Sequence, residues 1–444
     1  MTTQSQIERW YRAALAAANP ATAVERALRR NGRDLLLGET RVPVRGRLDV
    51  AGVGKAAPGM AGGAARACGD LITAGFLITK DGHADGAPPA GFVVREAAHP
   101  IPDERGVAAT RELLALLDGL NADDVVLALI SGGGSALLEA PRPPATLTDL
   151  AAVTDLLLRA GAPIGDLNAV RGPLSLVKGG GLRRAAAPAR VLTLILSDVL
   201  GNDPAVIASG PTVPSAATAT GALRVLDRYG LLDRVPAPVR HCLERPPNPD
   251  RAGEDGRPDP VLVVADNATA VAAARAAAEA GGRRVAVAWT AATGEAADLG
   301  RAWVAACAAA PPGTDILLGG GEATVTVTGA GVGGRNTEFA LAAALALEDH
   351  GVLGWTIASL ATDGQDGPTG VAGAIADAGT ARRTRAAGVD PLACLRENDS
   401  LRVFQAAGGV VAPGPTGTNV NDLYVAVRVG DGGNRRSGTG DGTP

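Results

Sequence analysis

Lysine is nearly missing from this chain of 444 residues: of 42 basic side chains only Lys55, Lys80 and Lys178 are lysine, and the rest are arginine. Two of the three lie in glycine clusters, Gly52-Val53-Gly54-Lys55 and Lys178-Gly179-Gly180-Gly181. An ammonium is a compact point charge, whereas guanidinium is a wide planar fork, so lysine persists where a narrow gap must be reached. Aromatic residues are also scarce, at 2%. The cores must therefore be built from Ala, Val and Leu. The four cysteines, Cys68, Cys242, Cys307 and Cys394, form no C-x-x-C and have no histidine at metal spacing, which disfavours zinc sites and a disulfide framework. Long apolar runs are absent, so no membrane span is expected, and the polar amino terminus does not read as a signal peptide. A soluble cytoplasmic protein is the expectation. A net charge of −4 argues against nucleic acid as the main partner.

What remains is a regular alternation. Short aliphatic runs at 47–53, 75–80, 91–96, 124–131 and 190–197 recur at 261–265, 284–289, 314–318, 323–328, 355–361 and 422–429. Helical patterns separate them, notably at 105–119, 147–159, 267–280, 294–309 and 337–349, after an initial helix or helix pair over 7–30. Alternation of this kind predicts an α/β protein with mainly parallel sheets. The length calls for more than one core. The Pro/Gly/charge-rich stretch 246–259 divides an amino-terminal domain, 1–245, from a carboxy-terminal one, 260–429. The tail 430–444 has no apolar residue to bury and is expected to be disordered.

In open α/β sheets ligands bind beyond the carboxyl ends of the strands. Those ends are rich in glycine and small polar or acidic residues. Ser131, Gly132, Gly133, Gly134 and Ser135 offer successive backbone N–H groups before a helix start, an anion cradle. The spacing is not that of a Walker loop, and no convincing dinucleotide fingerprint follows the first strand. Arg171, Ser175 and Lys178 fall at helical spacing, either a clamp for an anionic substrate or a solvated face. Asp198 ends an apolar run and suits a general base or a magnesium ligand. In the second half, Arg335 and Asn336 open a helix, where guanidinium beside backbone donors suits a transferring phosphoryl group. Glu322, Asp363 and Asp366 are further candidate metal ligands. His99 reads as structural.

Nine ordered motifs then carry a resemblance: GVGKAAPGMA, AAHPIPDERG, LISGGGSALL, NAVRGPLSLVKGGGL, ILSDVLGNDPAVIASGPT, LLGGGEATVTVTG, GGRNTEFALA, ATDGQDGPTG and TGTNVNDLYV. Over about residues 5–429 the chain resembles the class II glycerate 2-kinases of the MOFRL type. That resemblance implies two α/β domains, the first Rossmann-like, with the active site in the cleft between them. It implies transfer of the γ-phosphoryl group of ATP, with Mg2+, to the 2-hydroxyl of D-glycerate. The catalytic lysine and arginine of the family fall on Lys55 and Arg335. Small molecules are then the expected partners, and a homodimer is allowed but not specified. The rival readings are a hydroxypyruvate reductase using NAD(P)H, the label of some relatives of that family, and a non-catalytic sensor on a retained kinase fold.

Overall fold

The structure, a computed structural model, describes residues 2–84, 86–245, 259–352 and 354–429. The expected tail lies outside the described residues, as does the expected linker apart from its last residue, Asp259. The chain forms two compact units, one of Leu15–Thr269 with Gly417–Val420, the other of Met1–Ala14, Ala270–Thr416 and Asn421–Pro444. No helix among the described residues is long and apolar enough to cross a membrane.

Early in the chain lies a ribbon that the helical reading of 7–30 overlooked. Helices Thr3–Ala17 and Pro20–Ala27 are followed at once by β1 (Leu28–Asn31), β2 (Asp34–Leu37) and β3 (Thr40–Pro43), paired antiparallel. Each hairpin loop has two residues and starts with a glycine at positive φ, Gly32 and Gly38. This is the turn chemistry that twists correctly between antiparallel strands.

The main sheet of the amino-terminal unit contains β4 (Leu48–Val53), β5 (Ile72–Lys80), β6 (Phe92–Ala97), β7 (Val125–Ser131), β8 (Arg190–Leu196) and β9 (Val261–Ala265). Their order is β6-β5-β4-β7-β8-β9, every pair parallel. The unbroken apolar runs of β4, β7 and β8 are buried nearly end to end, as strands covered on both faces must be. Counted within the sheet, the order is that of a doubly wound Rossmann fold, and the winding reverses between β4 and β7. β9 shows where the expected boundary at 260 needs correcting. It hydrogen-bonds to β8 and completes the first sheet, because its aliphatic run finds an open edge there. A separate helical core, with Leu150, Val153, Val170, Leu226 and Val239 at its centre, packs helices Leu147–Arg159, Ile164–Arg171, Ala219–Arg228 and Ala237–Glu244 together.

The carboxy-terminal unit has the sheet β10 (Val285–Glu295), β11 (Ile316–Thr324), β12 (Trp355–Ala361), β13 (Gly373–Asp377), β14 (Val410–Val411) and β15 (Asp422–Arg428), ordered β10-β11-β15-β12-β13-β14. Here only β10 and β11 run parallel; the other pairs are antiparallel. The run at 314–318 and the first residues of that at 323–328 merge into β11, which ends at Thr324 with 325–328 in no strand, and Gly319-Gly320-Gly321 lie inside it. Those glycines serve packing, since a Cβ at Gly319 would stand 3.0 Å from the Trp303 ring and one at Gly321 would stand 2.1 Å from the Ala292 carbonyl. Rare aromatics gather in this unit, contrary to a purely aliphatic expectation. Phe339 and Tyr424 stack with centroids 4.6 Å apart, and Trp303 and Trp289 lie against them. The first residues of the chain join this unit: the buried Tyr11 hydroxyl donates to the Ala361 carbonyl at 2.6 Å.

Candidate functional site

In the amino-terminal unit the residues after β4 and β7 are laced together at the point where the winding reverses. The Lys55 amide donates to the Gly132 carbonyl (2.9 Å) and the Ala56 amide to Ser131 Oγ (3.0 Å). Gly54, at φ +117°, has Ser131 Oγ only 2.3 Å from where a Cβ would lie, so no other residue fits. Ser131 is therefore a buried strut and does not face a ligand. A methyl group on Gly132 would fall 1.9 Å from Asp198 Oδ2, which places the Asp198 carboxylate directly on the triple-glycine loop. Asn419 Nδ2 donates to the same oxygen at 3.4 Å. At Gly133, φ +85°, a Cβ would stand 3.1 Å from His99 Cδ2 and 3.4 Å from Lys55 Cγ. Lysine and imidazole thus meet the loop at one and the same backbone position.

His99, expected to be structural, lies against the loop at Gly133. Burial, reinforced by the charges of Lys55, Lys80 and His83, pushes its pKa down to about 4, so it stays neutral at physiological pH. The signal available in the sequence was its place after β6, the strand end two positions from β4.

Three expectations about the loop's surroundings change. The helix beyond the glycines is one turn, Gly134–Leu137, too short for the helix dipole invoked from sequence. Arg171 ends a helix while Ser175 is extended and bridges to Pro141, so Arg171, Ser175 and Lys178 share no helical face. Lys178 is completely buried, and its Nζ donates to the Ser135 carbonyl (2.9 Å) and to Glu139 Oε2. Burial pushes its pKa down while Glu139 opposes the shift. Arg171 reaches the same Glu139 oxygen at 4.0 Å. Both cations support the loop from within, because a buried carboxylate beneath it claims them.

The carboxy-terminal unit holds a second polar cluster around the start of helix Arg335–Asp349. Arg335 Nη1 donates to Glu322 Oε1 (2.9 Å) and Nη2 to Asp422 Oδ1 (3.1 Å), while Nε lies 2.8 Å from Asp422 Oδ2. Burial opposes the arginine's charge, but Asp422, Glu322 and Asp363 more than offset it and raise its pKa. Asn336 does not face solvent, contrary to its expected role on a phosphate. Its Nδ2 donates to Asp422 Oδ1 (3.0 Å) and its Oδ1 accepts from Ser359 Oγ (2.6 Å).

Asp366 is likewise committed. Its oxygens accept from the amides of Asn336 and Thr337 and from Thr337 Oγ1, each at 2.8 Å. It caps the helix from a neighbouring loop, so the helix amino terminus already holds its anion. Burial raises the Asp366 pKa, opposed by those hydrogen bonds. Asp366→Ala would strand several buried donors, and we expect it to lower this unit's unfolding free energy by about 3 kcal/mol, measurable by urea denaturation.

Among the described residues no three His, Cys, Asp or Glu side chains gather into a metal-holding group. Of the four expected metal ligands, Asp366 accepts from several donors and Glu322 from Arg335, while Asp363 accepts from the Gln365 amide and Asp198 from Asn419. One carboxylate with phosphate oxygens and water is the usual magnesium set in nucleotide enzymes, and the residues present fit that arrangement.

Comparison with known proteins identifies the family. The MOFRL family matches residues 315–422, and a domain of unknown function (DUF4147) matches 6–244. A D-glycerate 2-kinase from Thermotoga maritima is 40% identical over 86% of this chain and 91% of its own length. A relative from Agrobacterium vitis, 41% identical over 95% of this chain and 94% of its own, carries the provisional name hydroxypyruvate reductase. A crystal structure of a Thermotoga maritima glycerate kinase superposes with a TM-score of 0.85 at 36% identity, covering 96% of this chain and 99% of that one. The fold and these relatives define a small-molecule kinase built from two α/β units. The chain belongs to the class II glycerate 2-kinase family of the MOFRL type.

Proposed function

We propose that this chain transfers the γ-phosphoryl group of ATP to the 2-hydroxyl of D-glycerate, giving 2-phosphoglycerate and ADP. One observation carries the reading: Lys55, a rare lysine, stands beside Gly133 of the triple-glycine loop where the first sheet reverses its winding. Phosphoryl transfer needs positioning and charge neutralisation more than covalent chemistry. In this reading Lys55 neutralises charge on the transferring group. The backbone N–H groups at Gly132, Gly133 and Gly134 take anionic oxygens; Arg335, in the carboxy-terminal unit, is the arginine that the family resemblance makes catalytic. The 2-hydroxyl oxygen attacks the γ-phosphorus, and its proton passes to Asp198. The bond to the β–γ bridging oxygen breaks, and ADP leaves with the electron pair. Magnesium, when bound, supplies further neutralisation of the nucleotide phosphates, with Asp198 or Asp363 as its protein ligand.

The reductase reading is less well supported by the same residues. Gly52-Val53-Gly54-Lys55-Ala56-Ala57 has the looser glycine spacing of a dinucleotide loop. Yet the space beside Gly54 is filled by Ser131, where a pyrophosphate would need it open. Asp81, just past β5, accepts a two-pronged contact from Arg105 (2.7 Å to each oxygen), which occupies the acidic group that would otherwise bind a ribose. His99, the one histidine at a strand end, sits against Lys55, a setting for an anion.

The deciding assay offers ATP with D-glycerate and follows ADP, identifying the product by phosphorus NMR, with NADH and hydroxypyruvate run in parallel. We expect ADP formation that depends on glycerate, a 2-phosphate product and no NADH oxidation. Oxidation of NADH without glycerate-dependent ADP would reverse the assignment.

A further inference from the structure

The cluster around Arg335 contains a carboxylate that nothing in the motif reading assigned. Asp422 is the first residue of β15, is fully buried and faces both Arg335 and Asn336. Its two oxygens lie against the side of the guanidinium, at 3.1 Å from Nη2 and 2.8 Å from Nε. Asn336 is itself pinned by Ser359 and Asp366, so the carboxylate has little room to rotate. Glu322 differs: it holds Nη1 through one oxygen, and its side chain is 43% exposed.

A guanidinium gripped along its Nε–Nη2 edge can point its remaining N–H groups in only one direction. Lysine at this position would lose that edge contact, since an ammonium has no fork. We propose that Asp422 is the positioning residue of Arg335, holding the guanidinium edge-on so that its outer N–H groups meet the anionic substrate. This inference rests on the kinase reading of Arg335 given above. Asp422 touches no reacting atom in it; its effect passes entirely through the arginine.

Residues that act as one unit give non-additive losses, whereas a scaffold residue adds its own cost. The test measures kcat and KM for D-glycerate in Arg335→Ala, Asp422→Asn and the double variant, each checked for folding by circular dichroism. We expect Arg335→Ala to lose about a thousandfold in kcat. Asp422→Asn should lose about a hundredfold, with KM changed less than kcat, and the double variant should be no slower than Arg335→Ala. Multiplicative losses, or an Asp422→Asn enzyme at the parental rate, overturn the proposal. Should Asp422→Asn fail to fold, chemical rescue decides: guanidinium ion at non-denaturing concentration should restore Arg335→Ala at least about tenfold, because the two anchoring carboxylates remain. No restoration there counts against Asp422 as an anchor. Near-normal turnover by Arg335→Ala is a separate outcome, for it removes Arg335 from the chemistry and with it this part of the kinase reading.

Discussion

Lys55→Arg is expected to lower kcat about a thousandfold with ATP and D-glycerate while the melting temperature stays close to that of the parent. The substitution keeps the charge, so the expected loss comes from geometry. The Lys55 amide is fixed to the Gly132 carbonyl, and its Cγ and the His99 ring both lie against Gly133, within 3.4 Å of one point beside it. A space shared this closely with an imidazole suits a linear chain with a compact head. A planar guanidinium must turn out of it, and a charge displaced by even an ångström stabilises the transferring phosphoryl group far less. Lys55 is only half-buried, so its loss should cost the fold little. The measurement is steady-state kinetics alongside thermal unfolding. An arginine enzyme turning over at near the parental rate would show that charge without shape suffices, and the positional argument would fail.

Lys178→Met should do the reverse, harming the fold before the chemistry. It removes the ammonium from a fully buried Glu139 and leaves Arg171, at 4.0 Å, as its remaining cation. Breaking a buried ion pair from one side typically costs about 3–5 kcal/mol, because the surviving charge stays desolvated. For a unit of this size that corresponds to a fall of roughly 10 °C in its unfolding transition. Adding Glu139→Met should return most of the loss, since neither charge then remains buried without its partner. If the single variant melts with the parent, or the double variant melts lower still, the ion pair is not what supports the loop. Lys178 also holds the Ser135 carbonyl, so the single variant should show a raised KM for the anionic substrate.

Both lysines drew attention for the same reason, scarcity inside glycine clusters, and the structure gives them different roles. Scarcity marks a position where shape matters; it does not say whether the ammonium faces a ligand or a buried carboxylate. Glu139, the partner that decides this for Lys178, lies 39 residues away in the chain. The same limit explains Asp366 and Asn336. Their loop positions suggested metal and phosphate, but the Asp366 carboxylate folds back onto the helix start at Arg335–Asp349 and satisfies its first amides. Asp422 passed unassigned because nothing local distinguishes it from any polar residue before a strand. The boundary at 260 failed for a related reason, since composition marks a flexible stretch, while the edge to which β9 adds is set by β8.

The chain by itself determined the α/β class, most strand positions, the family and the loop that carries Lys55. Each follows from local pattern: aliphatic runs of strand length, glycines at strand ends and motifs in fixed order. Only the tertiary structure decided which charged groups face outward and which are consumed in the interior. That choice depends on partners distant in sequence, and a buried charge must find one whatever its own neighbours suggest.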